Sequence, residues 1–313
     1  MSTVQLTSAK YGKEKVRVFR VVRAAEWHEV VEYTVSVLLE GEIQSSYTQA
    51  NNAVVVATDS MKNTVNVFAK TSPHVLVPEL FALHLGLHFV ATYKHITQAS
   101  ITVISHRWTR IPISNKPHPH AFSRDGNDVV QIEAVVRKVK EDSFSATLVS
   151  GLKDLLVLKT KGSGFENFIR DDWTTLPEVS DRILSTSIEC RYTIDLPSAT
   201  PLEVENLSKL GINFGSLAKS VREITLETFA LDESASVQAT LYKMAESIIG
   251  TNPSISSVFY SLPNKHYLPI DLSWYQSIQN TRVQDAEVFV PVEAPSGLIT
   301  ATVSRTGLGS SSS

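Results

Sequence analysis

Residues that could do chemistry are spread along this chain at the ends of predicted elements. One short stretch, SLPNKHY at residues 261–267, places an amide, an ammonium and an imidazole between two strand-like segments. Asn264 and His266 are two residues apart, so on an extended chain their side chains face the same side. The other members of this dispersed set are Lys13, Thr58, Asp59, Phe165, Arg182 and Gln238. Each has an ordinary structural explanation when taken singly, and only their position at element ends is typical of functional sites.

Two pairs of histidines have spacings that metal sites use. His84 and His88 lie four residues apart on a predicted helix and share a face, but Leu85 stands where an HExxH zinc motif has its glutamate. His118 and His120, in the stretch KPHPH of a predicted loop, would point the same way on an extended segment. No third cluster of ligands is visible near them. We expect packing or surface roles for the first pair, and for the second a structural role is as plausible as a metal clip, so no metal site is predicted.

Motifs for phosphate binding and nucleophilic catalysis are incomplete. The stretch KGSGF at residues 161–165 has GxG without the third glycine of a dinucleotide-binding loop, and a Walker loop is absent. No GxSxG elbow occurs. The single cysteine, Cys190, falls in a predicted strand, where packing is expected rather than reactivity. The motifs therefore favour neither a nucleotide-binding protein nor a nucleophilic enzyme.

Composition sets further bounds on the function. The chain has 313 residues, 42% of them hydrophobic, and a net charge of -3. This balance argues against a uniformly basic nucleic-acid-binding protein. One cysteine permits no intrachain disulfide and fits a reducing compartment. The N-terminus has no apolar signal region, and no apolar run approaches the length of a membrane span. We therefore expect neither nucleic acid nor a membrane as a partner.

The elements that must position the polar residues are predicted in the same order twice. Strands are predicted at residues 15–22, 29–43, 99–110, 128–140, 143–160, 187–194, 255–262, 267–274 and 298–304, and helices from about residue 58 and at residues 78–94, 202–230 and 235–250. Thr58 or Asp59 would cap the first helix. The repeated order strand–strand–helix–helix–strand–strand predicts an α+β fold of two units, each a mostly antiparallel sheet with helices on one face. We place the units at residues 1–143 and 144–305, followed by a flexible tail at residues 306–313.

Many stretches together closely resemble one enzyme family. They are YGKEKVRV, LLEGEIQSSYT, VATDSMKNTV, HRWTRI with KPHPHAF, LVLKTKGSGF, TTLPEVSDRILST, SASVQATLYKMAE, SLPNKHYLPIDLSW and GLITATV. They span residues 11 to 303 in this order, and their combination is highly specific. The chain resembles the urate oxidase (uricase) family, particularly its fungal type.

The resemblance implies a fold and a reaction. The fold is the tunnelling fold (T-fold), with two units in tandem, helices on the outer face and four chains building a hollow barrel. Sites would lie at the contacts between subunits of this homotetramer. The implied reaction oxidises urate with dioxygen to 5-hydroxyisourate and hydrogen peroxide, with no metal and no organic cofactor. The protein would orient the purine, stabilise its anion and move protons.

Residue by residue, the resemblance implies a set of purine contacts. Arg182, in SDRILST, matches the arginine that grips urate, and its guanidinium fork suits a carbonyl oxygen beside a ring nitrogen. Gln238 matches the glutamine on the opposite edge, and Val237 would contribute its backbone beside it. Phe165, in GSGF, matches the ring that stacks on the purine. Asn264 matches the residue that holds oxygen or water above the purine plane.

The resemblance also implies a proton relay. Lys13, in YGK, and Thr58, in ATDS, match a pair that shuttles protons from the neighbouring chain, and His266 matches the third member. A lysine can serve in this way if burial or neighbouring charges lower its pKa. Thr58 would also contact the substrate, and Asp59 would reach the ligand with its backbone N–H.

Two alternatives stay open at this point, and one departure from the family stands out. Other T-fold enzymes, acting on a pterin or a purine nucleotide, often need zinc held by His, Cys or Glu ligands. A non-catalytic purine-binding protein would typically have lost a relay residue. The peroxisomal ending common in eukaryotic members is missing, so the resemblance implies a peroxisomal location while the sequence leaves a cytoplasmic one open.

Overall fold

A long antiparallel hairpin begins the fold, as predicted. The computed structural model describes residues 4–140, 143–197, 202–282 and 286–306. Strand β1 (Tyr11–Ala24) pairs with β2 (Trp27–Gly41). Alternate residues of β2 are fully buried, namely Tyr33, Val35, Val37 and Leu39. This alternation is what a sheet with one covered face requires.

Two helices of the first half start where the sequence predicted them. A short helix α1 (Gln44–Thr48) precedes α2 (Thr58–Thr71) and α3 (Pro78–Thr92). Pro78 occupies the first turn of α3, which suits its fixed φ and missing N–H. The predicted capping of α2 is wrong: Ala57 is the N-cap residue and makes no side-chain cap bond, while Thr58 is the first helical residue.

The KPHPH stretch forms a strand rather than the predicted loop. Strand β3 (Ile96–His106) is followed by a separate hairpin, β4 (Thr109–Ile113) and β5 (Lys116–Ser123), and then by β6 (Val129–Lys140). Ser114 and Asn115 both have positive φ, at 48° and 64°. This is the conformation that a tight two-residue hairpin turn requires. The prolines are accommodated because the hairpin has only two strands.

Further elements complete the α+β fold. They are β7 (Ser143–Lys159), β8 (Leu184–Ile194), α4 (Phe214–Leu231), α5 (Val237–Thr251), β9 (Ile255–Pro269), β10 (Phe289–Val292) and β11 (Leu298–Ser304). The predicted α+β class with antiparallel pairing is confirmed. No helix among the described residues is long and apolar enough to cross a membrane.

The chain divides into two compact units. The first unit consists of Met1–Gly151 and Tyr192–Ala218, and the second of Leu152–Arg191 and Lys219–Ser313. In the first unit, the order of paired strands is β1, β2, β3, β6. In the second, β9 pairs with β11 and with β10. The boundaries predicted for a tandem duplication stay a prediction, and residues 307–313 of the predicted tail lie outside the described residues.

Two further sequence-based predictions are wrong. Residues 202–230 are not one helix, because a 3-10 turn (Val204–Lys209) precedes α4 and Gly211 between them has φ +72°. Such a left-handed residue ends a helix. Residues 261–267 do not interrupt two strands, because β9 runs straight through them. β11 pairs with β9 up to Pro263 and β10 takes over from His266.

The sulfur-containing side chains of the described residues are buried. Cys190 lies in β8 with no exposure, and Met61 and Met244 are equally buried. Burial raises the pKa of the Cys190 thiol to about 12. The neighbouring Tyr260 hydroxyl lies 2.6 Å from Oγ1 of Thr225. Cys190 therefore packs, as predicted from its position in a strand.

The histidines of α3 pack against neighbouring side chains. His84 and His88 both lie against the ring of Phe68, with centroid distances of 4.8 and 4.7 Å. Nδ1 of His84 lies 2.9 Å from Oγ of Ser72. Burial, with a smaller contribution from the nearby His74, lowers the pKa of the His84 imidazole to about 4. His84 is therefore held in its neutral form.

Acid is expected to destabilise the first unit through His84. Its ordinary pKa of 6.5 is lowered to about 4 in the folded state, so its contribution is complete above the ordinary pKa and is lost as the pH falls between these values. The urea midpoint should therefore be lower at pH 5 than at pH 7, and His84→Gln should reduce that difference. His120→Gln, at an exposed position, serves as the control. An unchanged pH difference in His84→Gln would assign the acid sensitivity to other groups.

Candidate active site

A short glycine-containing segment of the second unit holds three parts of the chain together. Gly164 N donates to Ser234 O at 2.9 Å, and Phe165 N donates to Val179 O at 2.7 Å. Arg182 N donates to Ser163 O at 2.7 Å. The backbone of residues 162–165 thus joins the stretch before Arg182 to the stretch that leads into α5. The main chain fixes Phe165, Arg182 and the start of α5 relative to one another.

The side chains of Arg182 and Phe165 lie next to each other in this part of the second unit. Cζ of Arg182 lies 5.3 Å from the centroid of the Phe165 ring. The guanidinium is half-buried, and burial lowers the pKa of Arg182. Among the described residues it has no carboxylate partner. A half-buried cation without a counterion beside an aromatic face has the charge and shape to accept a flat anion.

The start of α5 follows directly from Ser234. Ser236 is the N-cap residue, and its side chain accepts a hydrogen bond from Ala239 N at 3.1 Å. Val237 is buried and Gln238 is exposed at the first two helical positions. Backbone N–H groups in a first turn have no partner within the helix. Val237 and Gln238 can therefore offer donors to a ligand.

Asn264 and His266 share a cleft with Arg182. The cleft has a volume of about 1210 Å³ and is lined by all three residues, whereas Phe165, Val237 and Gln238 do not line it. Oδ1 of Asn264 is buried and has no hydrogen-bond partner among the described residues. A buried acceptor without a donor is costly, which makes it a candidate contact for a ligand or water. Lys265, between them, pairs with Glu293 of the same chain at 3.1 Å.

Gly297 sets the position of the Asn264 amide. Asn264 N donates to Gly297 O at 2.8 Å, and a Cβ at position 297 would lie 3.2 Å from Nδ2 of Asn264. Sequence reasoning missed Gly297, because nothing in GLITATV indicates what its backbone contacts. The contact between Gly297 and the Asn264 amide can be seen only in the folded chain.

Replacement of Gly297 by alanine is expected to lower turnover by about three- to tenfold, because small misplacements of a positioning group slow an oriented reaction. The new methyl group must push the Asn264 amide aside. Steady-state kinetics measures the effect. Gly250→Ala is the matched control, since a Cβ there would meet nothing within 4 Å. A Gly297→Ala enzyme with unchanged kcat would show that the Asn264 amide is not under positional constraint.

The predicted relay residues Lys13 and Thr58 lie in the first unit. Lys13 is followed by a β-bulge, and Lys15 within it has φ 57°. Such a bulge re-aims neighbouring side chains. Gly12 is required here, because a Cβ would lie 1.7 Å from Val37 O. Tyr11 Oη accepts a hydrogen bond from Val56 N at 2.7 Å, which ties β1 to the approach of α2.

Asp59 follows Thr58 in the exposed first turn of α2. Its carboxylate accepts from Lys62 Nζ at 2.5 Å and from Asn63 Nδ2 at 2.9 Å. The hydrogen bond from Lys62 lowers the pKa of Asp59, and the charge of Lys13 contributes to the same effect. Strand β1, which carries Lys13, packs against α2 within the first unit. The predicted site residues form two sets, one in each unit, and their roles stay predictions.

The described residues contain no group of three or more His, Cys, Asp or Glu side chains suited to holding a metal. The ring centroids of His118 and His120 lie 4.5 Å apart, and His28 lies 5.9 Å from His120. Nδ1 of His118 accepts from the backbone N of His120 at 3.3 Å. Nδ1 of His118 is therefore occupied by a hydrogen bond within its own strand.

Comparisons with known proteins agree with the likeness found in the sequence. A family model described as uricase matches residues 9–134 and 148–300. The uricase of Emericella nidulans is 48% identical over 307 residues, covering 97% of this chain and 98% of that protein. The uricase of Schizosaccharomyces pombe is 45% identical, covering 97% and 99% of the two chains.

A solved structure agrees at the level of the fold. The crystal structure of uricase from Arthrobacter globiformis aligns with a TM-score of 0.84 at 34% identity, covering 98% of this chain and 96% of the other. The predicted family is confirmed by the match of the family model over most of the chain and by high identity along nearly its whole length. The chain belongs to the uricase family.

Proposed function

We propose that this protein oxidises urate with dioxygen and water to 5-hydroxyisourate and hydrogen peroxide, without a metal or an organic cofactor. Urate loses two electrons, dioxygen gains them and becomes peroxide, and water supplies the new hydroxyl group. The observation that carries the proposal is the half-buried Arg182 guanidinium, which lies beside Phe165 without a carboxylate partner among the described residues. Membership of the uricase family points to the same substrate.

The purine would be held by the second-unit set. Arg182 would bind a carbonyl oxygen and a ring nitrogen with its two-pronged guanidinium. Phe165 would stack on the flat ring system. Gln238 would bind the opposite edge beside the backbone of Val237. The unpartnered acceptor of Asn264 would hold dioxygen or water over the purine plane.

Proton transfer would belong to Lys13, Thr58 and His266. Deprotonated urate is electron-rich, so it can itself give electrons to dioxygen once its proton is removed. A positioned acid–base group typically accelerates such a step by about 10²- to 10⁴-fold. Asp59 would contact the ligand through its backbone N–H.

We propose further that the active form is a homotetrameric barrel of tandem T-fold units, with sites shared between chains. Large apolar side chains exposed in the second unit support association: Ile169 is 90%, Trp173 89% and Trp274 78% exposed. Exposed apolar area of this kind typically marks an interaction surface. A peroxisomal location is proposed from the family likeness alone, with a cytoplasmic one as the alternative.

The test is urate consumption with peroxide formation in the presence of a chelator, followed by metal analysis of the purified protein. We expect full turnover and no stoichiometric metal. Loss of turnover on chelation would contradict the cofactor-free mechanism and favour a zinc-dependent T-fold enzyme. Urate binding without oxygen uptake would instead support a non-catalytic purine-binding protein.

A further inference from the structure

One carboxylate fastens the segment that carries Phe165. Oδ1 of Asp181 accepts hydrogen bonds from Gly162 N at 2.7 Å and from Ser163 N at 3.3 Å. Gly162 has φ +78°, a backbone conformation that residues other than glycine rarely adopt. A single charged oxygen thus binds two consecutive N–H groups at a turn. Hydrogen bonds to an ionised acceptor are about twice as strong as neutral ones.

Residues 163 and 164 of this segment also lie against the neighbours of Asp181 on both sides, Ser180 and Arg182. Ser163 O accepts from Arg182 N, and a Cβ at position 164 would lie 3.0 Å from Ser180 O. Ser163 itself is only 2% exposed. The segment therefore has little room to shift while the Asp181 bonds hold, and Phe165 follows one residue after Gly164.

Because the Asp181 carboxylate binds backbone N–H groups, it does not neutralise the positive charge of the neighbouring Arg182. An aspartate beside an arginine is an obvious ion-pair partner, yet no salt bridge joins Asp181 to Arg182 among the described residues. The carboxylate is turned to the loop amides. The Arg182 guanidinium keeps its positive charge available beside the ring of Phe165.

We propose that Asp181 is a positioning residue that sets the spacing between the Phe165 ring and the Arg182 guanidinium, and so builds the slot for an anionic purine. This rests on the proposed function. In this role Asp181 acts through the loop, although it also lines the cleft shared by Arg182, Asn264 and His266. Its loss should weaken binding in the ground state and the transition state alike, which raises KM more than it lowers kcat.

Three variants separate geometry from charge. Asp181→Ala removes both loop bonds and should raise KM for urate by about ten- to a hundredfold, with kcat reduced less than about threefold. Asp181→Asn keeps an acceptor oxygen at the same place and should stay within about threefold of the parent protein. Asp181→Glu keeps the charge but displaces the oxygen, so it should behave like the alanine variant. Asp271→Ala is the control, because Oδ1 of Asp271 also accepts from a backbone N–H, that of Ser273 at 2.9 Å, but only within its own turn.

The readouts are KM, kcat and the Kd for urate measured without oxygen. Recovery in Asp181→Asn but not in Asp181→Glu supports the proposal, and if Asp181→Ala fails to fold this pair decides it alone. A glutamate variant with parental KM and Kd, or an asparagine variant as impaired as alanine, would overturn it. Absence of urate oxidation in the parent protein would defeat the proposed function instead, while the anaerobic Kd values still judge the role of Asp181.

Discussion

Replacement of Arg182 by alanine is expected to lower kcat/KM for urate by about 10²- to 10⁴-fold, since two charge-assisted hydrogen bonds are lost at a half-buried position. The guanidinium lies 5.3 Å from the Phe165 ring and has no carboxylate partner among the described residues. In the substrate complex the anion would become that partner. Steady-state kinetics and anaerobic urate binding measure the loss.

Two further variants make this prediction specific. Arg182→Lys retains the charge but not the planar fork, so we expect it to recover only a small part of the activity. Arg191→Ala is the control: Arg191 also lies over a phenylalanine, with Cζ 4.3 Å from the Phe259 centroid, but it is paired with Glu189 at 3.3 Å. If Arg182→Ala lost no more activity than Arg191→Ala, the purine would have to be held elsewhere.

Replacement of Lys13 or Thr58 by alanine should lower kcat by about 10²- to 10⁴-fold, the usual worth of a positioned acid–base group. Anaerobic binding of urate should change less than about threefold, because most of the hold on the purine is assigned to Arg182, Phe165 and Gln238. The double variant should be little worse than either single one if the two act as one relay. Unchanged turnover in both single variants would remove Lys13 and Thr58 from the mechanism.

A mixing experiment extends this prediction to the shared site. Lys13→Ala and Arg182→Ala damage the first-unit and second-unit sets separately. If a site takes one set from each of two chains, random mixed tetramers restore about a quarter of the sites. If both sets come from one chain, mixing restores none. Refolding the two variants together and assaying turnover therefore measures how the sets are divided.

Patterns within short stretches were enough to predict much of the fold. The alternation in β2 and the proline at the start of α3 are visible in the sequence, and both elements are present. The sequence wrongly predicts a break between two strands at residues 261–267, because a proline and polar residues are typical of such breaks. β9 continues there because β10 and β11 supply partners in turn, and neither pairing can be seen locally.

The site illustrates the same limit at longer range. The resemblance to the family predicts Phe165, Arg182 and Gln238 as site residues. Nothing in their local sequence indicates that backbone hydrogen bonds of Ser163 and Ser234 hold their segments together. Those backbone bonds link segments tens of residues apart. The sequence hides the role of Asp181 for the same reason: its place beside Arg182 suggests an ion pair, but in the folded chain its carboxylate accepts from Gly162 N.

The burial of sulfur has a consequence for the working lifetime of the protein. Each proposed turnover releases hydrogen peroxide, which oxidises thiolates and exposed thioethers. Cys190 has no exposure, and its pKa of about 12 keeps the thiol protonated at neutral pH. Met61 and Met244 are likewise shielded from solvent. Among the described residues, the side chains most easily damaged by the product are therefore those it can least reach, which protects the catalyst against its own chemistry.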